Sequence, residues 1–146
     1  MAVARLIKHK GIHYLIEAYN NLGPTDKKLV IAGESSYTDD YYAELKQLAG
    51  NNKNIIFTGN QTGRTLTELY ANAYLFVQPT EAEGLSIALL EAMSYGKPVL
   101  VSDIKPNKEA IGDIGMIFTS KNVTDLTDKL KQALAQPEQM KIMGEK

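Results

Sequence analysis

Between Tyr74 and Ser102 the chain spells out two buried strands and the helix that joins them. Tyr74-Leu-Phe-Val77 and Val99-Leu-Val101 are short apolar runs, the pattern of strands covered on both faces. Gly84 allows a tight turn after the first run, and Ser86 stands where an N-cap belongs. Gly96 supplies a left-handed stop and Pro98 prevents continuation. From Ile87 to Met93 the helix is apolar on nearly every side, which predicts burial on nearly every side.

Glu91 is the one charge inside that helix. A buried carboxylate is costly unless something pairs with it or binds it. Glu91 therefore either makes a structural pair, faces solvent at a gap in the packing, or accepts hydroxyl donors from a ligand at the open end of the helix. Glu83 lies eight positions upstream, roughly 10 Å away along a helix axis. Between the two carboxylates fall the unpaired amides of a first helical turn, which favour an anion. Acceptors for hydroxyls flanking a cradle for phosphate suit a sugar nucleotide.

The rest of the chain repeats the alternation of strand and helix. Strands are expected at Val3–Ile7, Lys28–Ala32, Asn54–Thr58 and Gly115–Phe118, beside the two above. Helices are expected at Ile12–Leu22, Tyr37–Ala49, from Thr62 or Gly63 to Asn72, and at Val123–Ala135. Lys105–Ile111 reads as a turn holding at most one helical turn, and Pro137 as a break before a tail, Glu138–Gly144, that forms at most a final helical turn. Strands separated by helices at this spacing give an α/β fold, a doubly wound parallel sheet of Rossmann-like type. Ligands of such sheets bind outside the carboxyl ends of the strands. Those ends are 8–11, 33–36, 59–63, 80–84 and 102–106, and glycines recur there, as expected where backbone must come close to something.

A chain of 146 residues, 44% hydrophobic and 23% charged, suits one globular domain over its whole length. A net charge of −1 gives no electrostatic case for nucleic acid, so an anion site must be built from a few placed groups. The lack of cysteine excludes disulfides and thiolate metal sites. His9 and His13, the two histidines, have no further ligands at metal spacing; both are expected at the surface or partly packed, and no metal or other cofactor is expected. The tyrosines are expected to pack, Tyr70 and Tyr95 inward. The cytoplasm is the expected location, in the absence of a transmembrane-length run or signal-peptide pattern.

Arg5 and Lys10 come at the end of the first strand and in the loop behind it, on the same edge as the helix mouth near Gly84. They are either solvated surface cations or the partners of an anion held there. The second reading has a chemical use. When a glycosidic bond to a diphosphate breaks, negative charge builds on the leaving oxygen, and fixed cations and amide dipoles stabilise it. Arg5 can engage two oxygens at once, and Lys10 acts as a point charge.

The stretch Glu83-Gly-Leu-Ser-Ile-Ala-Leu-Leu-Glu-Ala-Met-Ser-Tyr-Gly-Lys-Pro-Val99 resembles the donor-binding motif of the family-4 (group 1) retaining glycosyltransferases. Arg5-Leu-Ile-Lys-His-Lys10-Gly11 is similar to the same family's Arg-Leu, three residues, Lys-Gly pattern. The resemblance covers essentially the whole chain, and implies the C-terminal donor-binding lobe of the two-lobed GT-B fold. It implies that Arg5 and Lys10 neutralise a nucleotide diphosphate, with Glu83 near the transferred sugar. It implies further that Glu91 accepts from ribose hydroxyls, that Gly84 and the amides of Leu85 and Ser86 border the phosphates, and that Gly33, Gly59, Asn60 and Gln61 surround the sugar and base. Glu34-Ser35 stands where the family has a second glycine, and Glu81 is an extra acid expected to be exposed.

By resemblance the parent transfers a hexose from a nucleotide-diphosphate sugar to a glycan or glycolipid, with retention and without metal. Its acceptor-binding lobe and that lobe's histidine are not in this sequence. Met1-Ala-Val-Ala-Arg opens almost directly on a strand, so a piece of a longer protein is expected, and a peripheral place at the inner face of the membrane is open to the parent. The chain alone is expected to bind nucleotide and not to transfer sugar. The alternatives are a stand-alone nucleotide-binding module, a sugar-nucleotide epimerase lobe, and a phospho-receiver domain, which needs acids where Arg5–Gly11 offers cations.

Overall fold

The structure, a computed structural model, describes residues 1–35 and 39–146. Strands β1 (Ala2–Val3), β2 (Leu29–Ala32) and β3 (Ile55–Gly59) form one parallel three-stranded sheet in the order β1-β2-β3. Strands β4 (Phe76–Gln78), β5 (Val99–Ser102) and β6 (Met116–Phe118) form another, in the order β4-β5-β6. Main-chain bonds at Met1 join the two. The Met1 amine donates to the Leu75 carbonyl at 2.6 Å, and the Val77 N–H donates to the Met1 carbonyl at 2.9 Å. Across the join the strands read 3-2-1-4-5-6, the doubly wound order, with its reversal between β1 and β4.

Helices cover both faces. On one lie α1 (Ile12–Asn20), α2 (Asp39–Ala49) and α6 (Val123–Ala135), packed on a core that includes Leu15, Ile16, Ile31, Leu45, Leu100 and Leu126. On the other lie α3 (Gly63–Asn72), α4 (Ile87–Ser94) and α5 (Lys105–Ile111), around Tyr70, Phe76, Leu89, Val99 and Val101. Successive strand residues point to opposite layers, so Phe76 and Val77, or Leu100 and Val101, serve different cores. Continuous apolar runs are what two covered faces require.

Several expectations change. Regular pairing of β1 stops at Val3, not Ile7. The Ala4 and Leu6 amides still reach the carbonyls of Ala32 and Glu34, but the Ile7 N–H turns back onto the Arg5 carbonyl at 3.0 Å, curling the chain into a 3₁₀ turn at Lys8–Lys10. β4 is displaced to Phe76–Gln78. Lys105–Ile111 is a full helix, because Pro106 falls in its first turn, where no N–H is needed. For the same reason Pro137 begins a helix, α7 (Pro137–Glu145). The expected helix start at Tyr37, and Ser36 in the loop before it, lie outside the described residues.

The largest change concerns α4. Its ends are as read: the Ser86 hydroxyl accepts the Leu89 N–H at 3.1 Å. At the other end Gly96, at φ 67°, closes a Schellman turn through Gly96 N–H to Met93 and Lys97 N–H to Ala92. Burial is not as read, since within the helix Leu89 and Ala92 are buried while Ile87 is 69% exposed. Two short strands offer a helix of eight residues only one face to pack on, whatever its composition.

Candidate functional site

Where the strand order reverses, the carboxyl ends of β1 and β4 part and leave a cavity of about 470 Å³. Arg5 and Lys10 line it from the loop after β1, Gly33 and Glu34 from the end of β2, and Asn60 and Gln61 from the end of β3. Thr80, Glu83, Leu85 and Ser86 close it from the segment between β4 and α4. Four separate stretches of sequence thus converge on one opening, as the topology demands of a doubly wound sheet.

Two glycines make the convergence possible. A Cβ on Gly11, at φ 73°, would lie 2.0 Å from the Pro79 carbonyl oxygen, and one on Gly33, at φ 151°, would lie 1.8 Å from that of Ala4. Both glycines therefore let the loops close on the protein's own backbone. Gly84 behaves differently: its φ is not left-handed, and an added Cβ would meet nothing within 4 Å. The expected tight turn at Gly84 does not need glycine.

Inside the cavity Lys10 and Glu83 form an ion pair at 2.6 Å, with side-chain exposures of 14% and 16%. Arg5 is exposed at the rim. Gln61 is fixed by donating to the Thr58 carbonyl at 2.7 Å, and Gly59 accepts from the Gly33 N–H at 2.9 Å without lining the cavity. Glu81, expected to be exposed, is half-buried and accepts from the Tyr14 hydroxyl, while its own N–H donates to the His9 carbonyl at 2.8 Å. Burial, and then that carboxylate, push the Tyr14 phenol up to about 12.

Glu91 and Gly84 do not line the cavity. Glu91 is half-buried on α4 beside Tyr70, whose hydroxyl donates to the Ala88 carbonyl at 3.2 Å. Burial, and then the Glu91 charge, raise the Tyr70 phenol well above its ordinary range. Tyr70 packs inward as expected. Tyr95 stacks on it at 5.5 Å yet stays 40% exposed, against the inward reading. His13 is buried against Tyr41, whose hydroxyl lies 2.7 Å from Nδ1, and burial followed by the Lys8 charge lowers its basicity. Among the described residues no group of three or more His, Asp or Glu side chains is placed to hold a metal ion.

The sequence reading missed three buried polar residues: Gln78, which lines the cavity, and Ser102 and Asn107 beneath it. Their only signal was position. Gln78 and Ser102 are polar residues ending otherwise apolar strands on the ligand edge, and Asn107 gave none. A second cavity, about 480 Å³, opens at the opposite edge of the sheet and is lined by Leu15, Leu69, Leu75 and Leu130 among others. It sits at the amino ends of the strands, away from Arg5, Lys10 and Glu83.

Fold and cleft together define a Rossmann-like lobe with a charged site at its topological switch point. Residues 1–146 match the family model described as glycosyl transferases group 1, and the chain belongs to that family of glycosyltransferases. It is 31% identical over 129 residues to the O-antigen chain mannosyltransferase B of Escherichia coli, covering 86% of this chain and 34% of that protein. The C-terminal domain of a group 1 family glycosyl transferase from Francisella tularensis superposes with a TM-score of 0.86 at 26% identity, covering 98% of this chain and 78% of that one. Anabaena Alr3699/HepE, solved in complex with UDP and glucose, shares the fold at a TM-score of 0.89 and 23% identity, over 99% of this chain and 41% of that one. The chain spans 26% to 34% of the length of the curated relatives it matches first.

Proposed function

We propose that this chain is the donor-binding lobe of a retaining glycosyltransferase that moves a hexose from a nucleotide-diphosphate sugar onto a glycan or glycolipid. The observation that carries the reading is the convergence of Arg5, Lys10, Glu83 and the α4 mouth on one cavity at the switch point. The diphosphate lies between Arg5 and Lys10 on one side and the first-turn amides of α4 on the other. As the glycosidic bond breaks, these groups meet the charge that develops on the leaving oxygen. An incoming diphosphate competes with Glu83 for Lys10, and Glu83, once released, accepts from sugar hydroxyls. Asn60 and Gln61 border the base. Glu91, one face away, accepts from the ribose if the nucleotide extends along α4.

The reaction needs no metal, because Arg5 and Lys10 supply the positive charge. The acceptor lobe belongs to the remainder of a longer parent, and Leu85 and Ile87, 71% and 69% exposed at the mouth, are the surface it faces. Alone, the chain binds nucleotide and transfers nothing. Support comes from the mannosyltransferase relative and from the UDP and glucose complex of the Anabaena neighbour.

Calorimetric titration with uridine and guanosine diphosphates, in chelator, tests this reading. Saturable binding of at least one is expected. Binding that requires magnesium, or none at all, contradicts it.

A further inference from the structure

A run of hydrogen bonds among buried side chains lies beneath the mouth of α4. Ser86 Oγ accepts the Leu89 N–H at 3.1 Å and donates to Gln78 Oε1 at 2.7 Å. Gln78 Nε2 donates to Asn107 Oδ1 at 3.0 Å. Asn107 Nδ2 in turn donates to Ser102 Oγ at 2.9 Å, and Ser102 Oγ donates to the Thr80 carbonyl at 2.6 Å. The Thr80 hydroxyl has two carbonyls within reach of its proton, Ala82 at 2.8 Å and His9 at 3.1 Å. Ser102 is 0% exposed, and Thr80 and Asn107 are 1%.

The protons in this run have one consistent order. The Ser102 carbonyl can only accept, so its bond from Asn107 Nδ2 at 3.2 Å orients that carboxamide. Asn107 Oδ1 then accepts the Gln78 amide, which leaves Gln78 Oε1 to accept the Ser86 proton. Turning Gln78 over would set its Oε1 against Asn107 Oδ1, and turning Asn107 over would set its nitrogen against Gln78 Nε2 and its oxygen against the Ser102 carbonyl, away from water. The run begins at the N-cap of α4 and ends on the loop that carries Lys10, which are the two walls of the cavity.

We propose that Gln78 and Asn107 are positioning residues for the phosphate cradle. They fix the α4 mouth against the β4 and β5 ends, and they reserve the Ser86 hydroxyl proton for Gln78, so that only main-chain N–H groups of α4 meet an anion. This rests on the nucleotide-diphosphate reading above. Asn107 lies outside the lining of the cavity, whereas Gln78 lines it between Thr80 and Ser86, and Asn107 acts through Gln78, Ser86 and Thr80.

Asn107→Asp separates direction from shape. A neutral carboxyl at this position accepts from Gln78 and donates to Ser102 Oγ, as the carboxamide does, whereas a carboxylate donates nothing. Both partners are uncharged, and burial raises the pKa of such a carboxyl. The probe is uridine diphosphate, with guanosine diphosphate beside it, titrated into the chain and into the variant at about pH 5 and about pH 8. The ratio of variant to parent Kd is expected near one at the lower pH and about ten at the higher. A ratio that does not change with pH, in a variant with a cooperative melt, overturns the proposal. If the variant has no cooperative melt at the higher pH, Asn107→Leu, similar in size, uncharged and outside the lining of the cavity, takes its place. An affinity about tenfold weaker then supports the proposal, and unchanged affinity overturns it. A parent chain that binds neither nucleotide overturns the nucleotide reading and this proposal with it, whereas a parent that binds with a flat ratio overturns only the positioning role.

Discussion

Lys10 and Glu83 neutralise each other at 2.6 Å in a site proposed to take an anion, so each residue predicts a different change. Lys10→Ala removes a charge-assisted partner of the diphosphate and leaves Glu83 as an uncompensated negative charge facing it. Uridine diphosphate should bind about tenfold or more weakly to that variant. Glu83→Gln frees Lys10 while keeping the side chain's shape. Uridine diphosphate should bind it at least as tightly as the parent, and a sugar-bearing nucleotide should lose the advantage of the carboxylate. Calorimetry with both ligands reads the difference, and a parallel loss for the two would mean that Glu83 serves only to hold Lys10. Glu91 was legible as the odd charge in an apolar helix, yet its place beside Tyr70 and outside the cavity was not. A spacing of eight fixes distance along a helix but not which neighbour's hydroxyl turns toward it.

At the scale of elements, the segment from β4 to α4 combines a cap, a turn and a set of close contacts. Ser86→Ala removes both the N-cap and the donor to Gln78. Thermal unfolding should show a loss of about 1–2 kcal/mol. Gly33→Ala should cost about 3 kcal/mol or more, because its Cβ would press on the Ala4 carbonyl at 1.8 Å. Gly84→Ala has open space and an ordinary φ, so its melting temperature should stay with the parent's. Strand and helix order, the Ser86 cap and the Gly96 stop were legible because they depend on local pattern and backbone geometry. The exposure of Leu85 and Ile87 was not, because an apolar helix does not say how many surfaces it will meet. Pro137 misled for a related reason: a proline that stops one helix is equally suited to start the next.

Across the molecule the two three-stranded sheets are joined through Met1, and this makes stability depend on pH. Burial lowers the Met1 amine from 8.0 to about 5. Unfolded chains carry the proton between these values and folded chains do not, so stability rises with pH across that window, by on the order of 4 kcal/mol. His13, also lowered, adds in the same direction but only below its ordinary value of 6.5. Melts recorded from pH 5 to pH 8 should therefore rise for the free chain, and acetylation of Met1 should abolish the part above pH 6.5. An unchanged rise after acetylation would contradict the assignment. The doubly wound class was legible from alternation, whereas the strand order and the join at Met1 depend on pairings and two hydrogen bonds that no pattern announces.

The central claim is that the cavity at the switch point, and not its equal in size at the other edge, holds the nucleotide diphosphate. Amide chemical shifts during a metal-free titration with uridine diphosphate test it most directly. Movement concentrated at Lys10, Gly33, Asn60, Leu85 and Ser86 is the predicted result. Movement concentrated at Leu15, Leu69, Leu75 and Leu130, or none anywhere, would contradict it.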